Sequence, residues 1–240
     1  DLFMTHLIRE TNTLYVNDGT GMFEDVTIQT GLGPPSWGYT SWGTAWFDYD
    51  NDGLLEMMIA NGDVRVIEEL ANAGDPYPFH QPNQLFRGLG SNRFEEVTDD
   101  AGAVFKLSEV SRALSAGDLD NDGDTDLLLV NNNGPGQLLI NHVGQNSHWV
   151  GFRLVDAKGS DQLGARVQLV RSDQTSIWHR VRTDGSFAAS NDPRVLFGLG
   201  DPGGRLHKIG PLQISGHDQG IDFGLNWYLN ERKCKLLLHY

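Results

Sequence analysis

The chain of 240 residues carries 32 acidic against 18 basic residues, a formal net charge of −14, and is 39% hydrophobic and 10% aromatic. That apolar content excludes a wholly disordered acidic chain, and the charge, with no Lys/Arg cluster to offset it, excludes binding to phosphate backbones. The single cysteine, Cys234, excludes an intrachain disulfide and any cysteine-based zinc cluster.

In chain order, Asn12-Thr-Leu-Tyr15 and then Phe23-Glu-Asp-Val-Thr27 flank Asn17-Asp-Gly19, which has the composition of a hairpin turn. Trp42–Asp48 reads as a strand entering the acidic loop Asp48-Tyr-Asp-Asn-Asp-Gly53, which runs into the apolar strand Met57–Ala60 and ends in Asn61. Its alternation puts Thr44, Trp46 and Asp48 on one face and Gly43, Ala45 and Phe47 on the other, which suits core packing. Trp37 and Tyr39, in a Gly/Pro-rich loop, are better placed to contact a ligand. Residues 64–71, with apolar Val66, Ile67, Leu70 and Ala71, suit a short helix, and a Pro-rich stretch to Pro82 stops it.

The pattern then recurs. Asn83-Gln-Leu-Phe86, Phe94-Glu-Glu-Val-Thr98, the strand Ala113–Asp118, the loop Asp118-Leu-Asp-Asn-Asp-Gly123 and the strand Leu127–Val130 repeat the first set at a period of about 70 residues. A third, partial copy begins at Gln137-Leu-Leu-Ile-Asn141. In this register Glu56–Ala60 and Asp126–Val130 align with Asp1–Thr5, so the chain reads as the C-terminal part of a longer protein, entered within a repeat. After Asn141 the texture changes. His148–Val155, Gly164–Val170, Ser176–Arg182, Arg194–Leu199 and His207–Ile214 read as strands of a second, all-β module. In the ambiguous tail from Gly216, Cys234–His239 suits a last strand.

The acidic loops follow D-x-D-x-D-G-x-x-[DE]. Carboxylates fall at positions 1, 3, 5 and 9, and position 7 offers its backbone carbonyl. In the first loop these are Asp48, Asp50, Asp52, Glu56 and the carbonyl of Leu54. In the second they are Asp118, Asp120, Asp122, Asp126 and the carbonyl of Asp124. Hard oxygen donors in this spacing suit Ca²⁺, about two ions per chain, with Gly53 and Gly123 allowing the sharp turn. An EF-hand is excluded, because its twelfth position would be Ile59 or Leu129, neither of which supplies a carboxylate. His142, His148, His179 and Asp184 have no spacing that demands a catalytic or zinc site. Arg112, just before the second loop's strand, is placed to pair with a loop carboxylate.

These loops and repeats resemble FG-GAP/VCBS repeats, the calcium-loop blades of integrin-like β-propellers. The second module resembles the ASPIC/UnbV domain of cartilage-acidic-protein-like proteins through His148-Trp149, Gly164-Ala-Arg166 and Leu196-Phe-Gly-Leu-Gly200. Glu56 departs from the usual Asp of the loop, and the segment after Pro211 lacks the expected Trp-Pro-x-Gly strand end. The fold class expected is all-β: a partial β-propeller over 1–145 with a truncated first blade, then a small β-sandwich-like domain over 146–240. The resemblance implies an extracellular, periplasmic or cell-surface calcium-binding protein that binds or scaffolds a protein or carbohydrate ligand, without nucleic acid or membrane insertion. No catalytic residue is assigned. The alternative is a hydrolase or lyase acting on polysaccharide, or a carbohydrate-binding module, with its site near the blade loops. An exposed blade edge near Asp1 would favour a homo-oligomer.

Overall fold

The structure, a computed structural model, describes residues 1–156, 158–170 and 176–200, and the backbone of strands 213–215, 223–229 and 232–238. The chain is all-β. Its first sheet comprises β1 (Leu2–Met4), β2 (Thr13–Asn17) and β3 (Phe23–Asp25). β4 (Ser41–Phe47) and β5 (Glu56–Asn61) follow, then the short β6 (Gln81–Pro82), β7 (Gln84–Gly88) and β8 (Phe94–Glu96), with sheet order β4-β5-β7-β8. β9 (Ser108–Glu109) pairs with β6, and β10 (Ser111–Gly117), β11 (Asp126–Asn131) and β12 (Gln137–Leu139) form the third antiparallel sheet.

The repeat motifs are hydrogen-bond devices. In the FE[DE]VT motif, the threonine hydroxyl accepts a backbone N–H from the preceding strand: Leu14 to Thr27 at 2.9 Å and Leu85 to Thr98 at 3.0 Å. The acidic residue two positions earlier takes the hydroxyl proton, Asp25 at 2.6 Å and Glu96 at 3.0 Å. The asparagines that end β5 and β11 accept from the serine that opens the neighbouring strand, Ser41 to Asn61 and Ser111 to Asn131, both at 2.8 Å. The Ser–Asn pairs satisfy buried polar groups that would otherwise be costly.

Alternation along β5 sets the packing. Met57 and Ile59 face a core with Leu14, Leu32 and Phe86 toward the first sheet. Met58 and Ala60 face another with Ala45, Phe47, Leu114, Leu127 and Leu129 toward the third. The sheets therefore stack face to face, as blades do. Trp46 stands edge-on between Phe3 (5.8 Å) and Phe94 (5.5 Å), so this part of the aromatic stretch is core, whereas Trp37 is 55% exposed. The expected helix is present but shorter, α1 (Glu68–Asn72), and it buries no residue, with Val64 and Val66 just before it exposed.

β1 lies at the edge of its sheet, with Leu2 49% and Met4 41% exposed. Pairing along such an edge should give a dimer of this chain in light scattering; a species that stays monomeric at high concentration would show that the edge does not associate.

The second module holds a separate core of Val150, Phe152, Leu154, Val167, Leu169, Val181, Val195 and Phe197. It pairs β13 (His148–Phe152) with the later strand β16 (Val195–Gly200), and β14 (Arg166–Val170) with β15 (Ser176–Arg180) and β17 (Gln213–Ser215). β18 (Phe223–Leu229) and β19 (Arg232–Leu238) form a hairpin, so the Cys234 segment is a strand as expected. Of the expected strand His207–Ile214, residues 207–212 lie outside the described residues.

Candidate metal centre

Each acidic loop joins an inner strand to its neighbour, β4 to β5 and β10 to β11. The fourth and sixth positions are left-handed in both: Asn51 (φ 58°) and Gly53 (φ 91°), Asn121 (φ 62°) and Gly123 (φ 94°). Glycine adopts this backbone without penalty, and asparagine tolerates it better than most residues. The turn curls N–H groups onto the carboxylates. Asp52 and Gly53 donate to Asp48 at 3.0 and 2.8 Å, and Leu54 donates to Asp52 at 2.7 Å. In the second loop Asp122 donates to Asp120 at 3.3 Å and Asp124 to Asp122 at 3.2 Å.

Carboxylate oxygens of Asp48, Asp50 and Glu56 lie within 4.8 Å of one another, as do those of Asp118, Asp120 and Asp122. Asp52 and Asp126 stand outside these groups. Asp124 buries its side chain, which accepts from Gln145 N–H at 3.0 Å.

The ninth-position carboxylates tie each loop to its sheet. Glu56, fully buried, accepts from Tyr49 N–H (3.0 Å) and Gly88 N–H (3.2 Å). Asp126 accepts from the matching pair, Leu119 (2.8 Å) and Asn141 (2.9 Å). Shortening Glu56 to Asp should break one of its two bonds and leave a buried N–H unpaired. We expect a loss of about 1–3 kcal/mol in urea denaturation; unchanged stability would show that the double bond contributes nothing.

Burial pushes Asp48 up to about 7 and Glu56 up to about 8, with repulsion among the loop carboxylates adding to both. Burial likewise pushes Asp124 up to about 7 and raises Asp118, whose shift Arg194 opposes. Asp118 Oδ1 and Asp124 Oδ1 are buried with no hydrogen-bond partner among the described residues. Buried carboxylate oxygens without donors are costly unless a cation meets them. The donor set is hard and anionic, so a hard divalent cation fits it.

Two site residues escape a local reading of the sequence. Asn51, 1% exposed, donates to the carbonyls of Gly123 (3.1 Å) and Gly144 (2.9 Å), tying the first loop to the second. Its recurrence as Asn121 at the same loop position was the available signal. Arg194, from the second module, donates to Asn121 Oδ1 at 2.7 Å and to the Asp118 carbonyl, and lies 3.9 Å from Asp118 Oδ2. No local pattern marks it. Arg112 does not pair with a loop carboxylate as expected, because it is spent on the carbonyls of Gly62, Ser111 and Asp63 and stacks 4.4 Å over Trp42.

The β13–β16 pair seats on both loops. Gly200 N–H donates to Asn51 O at 2.8 Å, and Trp149 lies so close to Gly123 that a Cβ there would meet its ring at 1.6 Å. Gly198 is equally tight, with Asp48 Oδ2 2.2 Å from where a Cβ would stand. His179 is held against Phe197 at 4.6 Å, where burial pushes it down to about 4, and Asp184 pairs with Arg180 at 3.0 Å. Neither joins His142 or His148 in a metal-ligand group among the described residues.

A family model described as an FG-GAP-like repeat matches residues 1–59, covering the first sheet and the first loop. One described as ASPIC and UnbV matches residues 156–209. The chain carries an FG-GAP-like repeat and an ASPIC/UnbV domain. A search among curated proteins returns no match. The second loop lies beyond the matched FG-GAP-like segment yet repeats its left-handed fourth and sixth positions and its ninth-position ties to the sheet. Most of the contacts that the second module makes with the loops come from Arg194 and β16, within the ASPIC/UnbV match.

Proposed function

We propose that this chain is a calcium-binding, extracellular-type binding or scaffold protein, in which Ca²⁺ orders the FG-GAP-like loops and thereby the seat of the ASPIC/UnbV domain. What carries the reading is the pair of buried, unpartnered carboxylate oxygens, Asp118 Oδ1 and Asp124 Oδ1, in a loop whose conformation the first loop duplicates. An FG-GAP-like repeat joined to an ASPIC/UnbV domain supports an integrin-like surface or secreted setting. Among the described residues no helix is long and apolar enough to cross a membrane.

Calorimetric titration of the chelator-treated protein should find about two Ca²⁺ sites. Asp50→Asn should remove one and Asp120→Asn the other. Absence of binding at millimolar calcium, or loss of both sites from either substitution, would overturn the assignment.

A further inference from the structure

Charge is divided unevenly along the chain. Residues 1–145 hold 23 acidic and 6 basic side chains, residues 146–240 hold 9 and 12. The whole-chain charge therefore hides a basic surface. It appears where the sheet of β14 and β15 overhangs the inner strands, across a cleft of about 450 Å³ lined on that side by Arg166, Trp178, Arg180 and Arg182. A cleft of this size is in the range of small-molecule sites.

Arg166 stands directly opposite Arg180 in the antiparallel register, where like charges repel. Arg180 is relieved by Asp184 at 3.0 Å, but among the described residues neither Arg166 nor Arg182 pairs with a carboxylate. Arg166 instead lies 5.1 Å over the Trp178 ring, and that indole is still 56% exposed. Arg182 is accommodated beside Gly185, where a Cβ would come within 3.1 Å of Nη2. The opposite wall offers the hydroxyls of Thr44 and Thr125 and the carboxylates of Asp1, Asp48 and Asp118, the last two belonging to the acidic loops, while Asp192 of the second module is engaged by Arg194.

An exposed indole flanked by guanidinium groups that pair with no carboxylate among the described residues, facing hydroxyls and carboxylates that can meet sugar hydroxyls, matches a sugar ring whose acidic group lies on the arginine side. Aromatic faces take the apolar face of the ring, arginine takes the carboxylate or sulfate, and the facing wall takes hydroxyls. An inorganic anion would leave the indole and the far wall unused. We propose that this cleft binds an acidic saccharide, with Trp178 as the platform and Arg166 and Arg182 as the anion contacts. This deepens the binding role proposed above and rests on it only in taking the chain to be a binding protein.

The test is calorimetry of the whole chain, in calcium and again in chelator, with an oligogalacturonate hexasaccharide, a heparin-derived hexasaccharide and neutral cellohexaose. At least one acidic hexasaccharide should bind, with affinity falling as salt rises, and cellohexaose should not. Preference between the two acidic probes then assigns carboxylate or sulfate as the recognised group. Trp178→Ala, and separately Arg166→Gln with Arg182→Gln, should each weaken binding tenfold or more while leaving the calcium-dependent melting shift unchanged. The proposal is overturned if no acidic probe binds, if cellohexaose binds equally well, or if both variants bind as the parent does. Because the calcium shift is measured on the same samples, its persistence alongside any of these results would sink the ligand assignment alone and leave the calcium reading standing.

Discussion

Removing calcium should lower the melting temperature, and the drop should widen as pH rises from about 5 to 8. In the metal-free fold Asp48 and Glu56 hold protons up to about pH 7 and 8, against ordinary values of 3.8 and 4.5. Their folded-state pKa is raised, so the stability they contribute is fully present below the unfolded values and is lost as pH climbs through the folded ones. At about 1.4 kcal/mol per pKa unit, either group alone accounts for on the order of 4 kcal/mol. Their mutual repulsion is shared, so the two do not add in full. A bound cation replaces the protons, and the loaded form should lose little over the same window. For a chain of this size a difference of about 4 kcal/mol is roughly 10 °C in Tm. Asp48→Asn should flatten much of the metal-free pH dependence. A gap between loaded and chelated curves that is constant across this range would show that the loop carboxylates do not carry it.

The second large effect concerns Gly123. Alanine there meets two obstacles: a left-handed backbone at φ 94° and the Trp149 ring, 1.6 Å from its Cβ. Gly21 has the same φ of 94° with nothing within 4 Å, so Gly21→Ala measures the backbone penalty alone, about 1 kcal/mol. Gly123→Ala should cost about 1–3 kcal/mol more from overpacking. It should also loosen the ASPIC/UnbV domain from the loop, read as increased proteolysis between residues 139 and 148. Equal losses from the two alanines would mean that Trp149 moves aside freely.

What the sequence made legible was whatever is local. Strand alternation, the acidic spacing and the FE[DE]VT motif all act within one repeat, so their residues recur at fixed offsets and can be read by eye. The seat of the second module is different in kind. Arg194 reaches Asp118 across 76 residues, and Trp149, although part of the His148-Trp149 signature, meets Gly123 from another domain, so neither contact is written in the neighbouring sequence. Arg112 shows the converse: proximity in sequence to Asp118 implied a partnership that the carbonyls of Gly62, Ser111 and Asp63 pre-empt. Charge failed for a third reason, because one net figure averaged an acidic half with a basic one.

The asparagine at the fourth position of each loop has a consequence for how the series of repeats is brought to a close. Asn51 gives one proton to the loop that follows, at Gly123 O, and the other to Gly144 O beyond β12, whereas Asn121 has no further acidic loop and instead accepts from Arg194. The amide has both a donor end and an acceptor end, so the same socket serves continuation and termination. In an architecture where each unit is stabilised mainly by its immediate neighbours, the unit that stops the series must match the socket while offering nothing for another loop to grip. A guanidinium has that chemistry, since it carries donors and no acceptor. Here the last loop's asparagine is met by the second module's guanidinium where the first loop's asparagine meets backbone carbonyls.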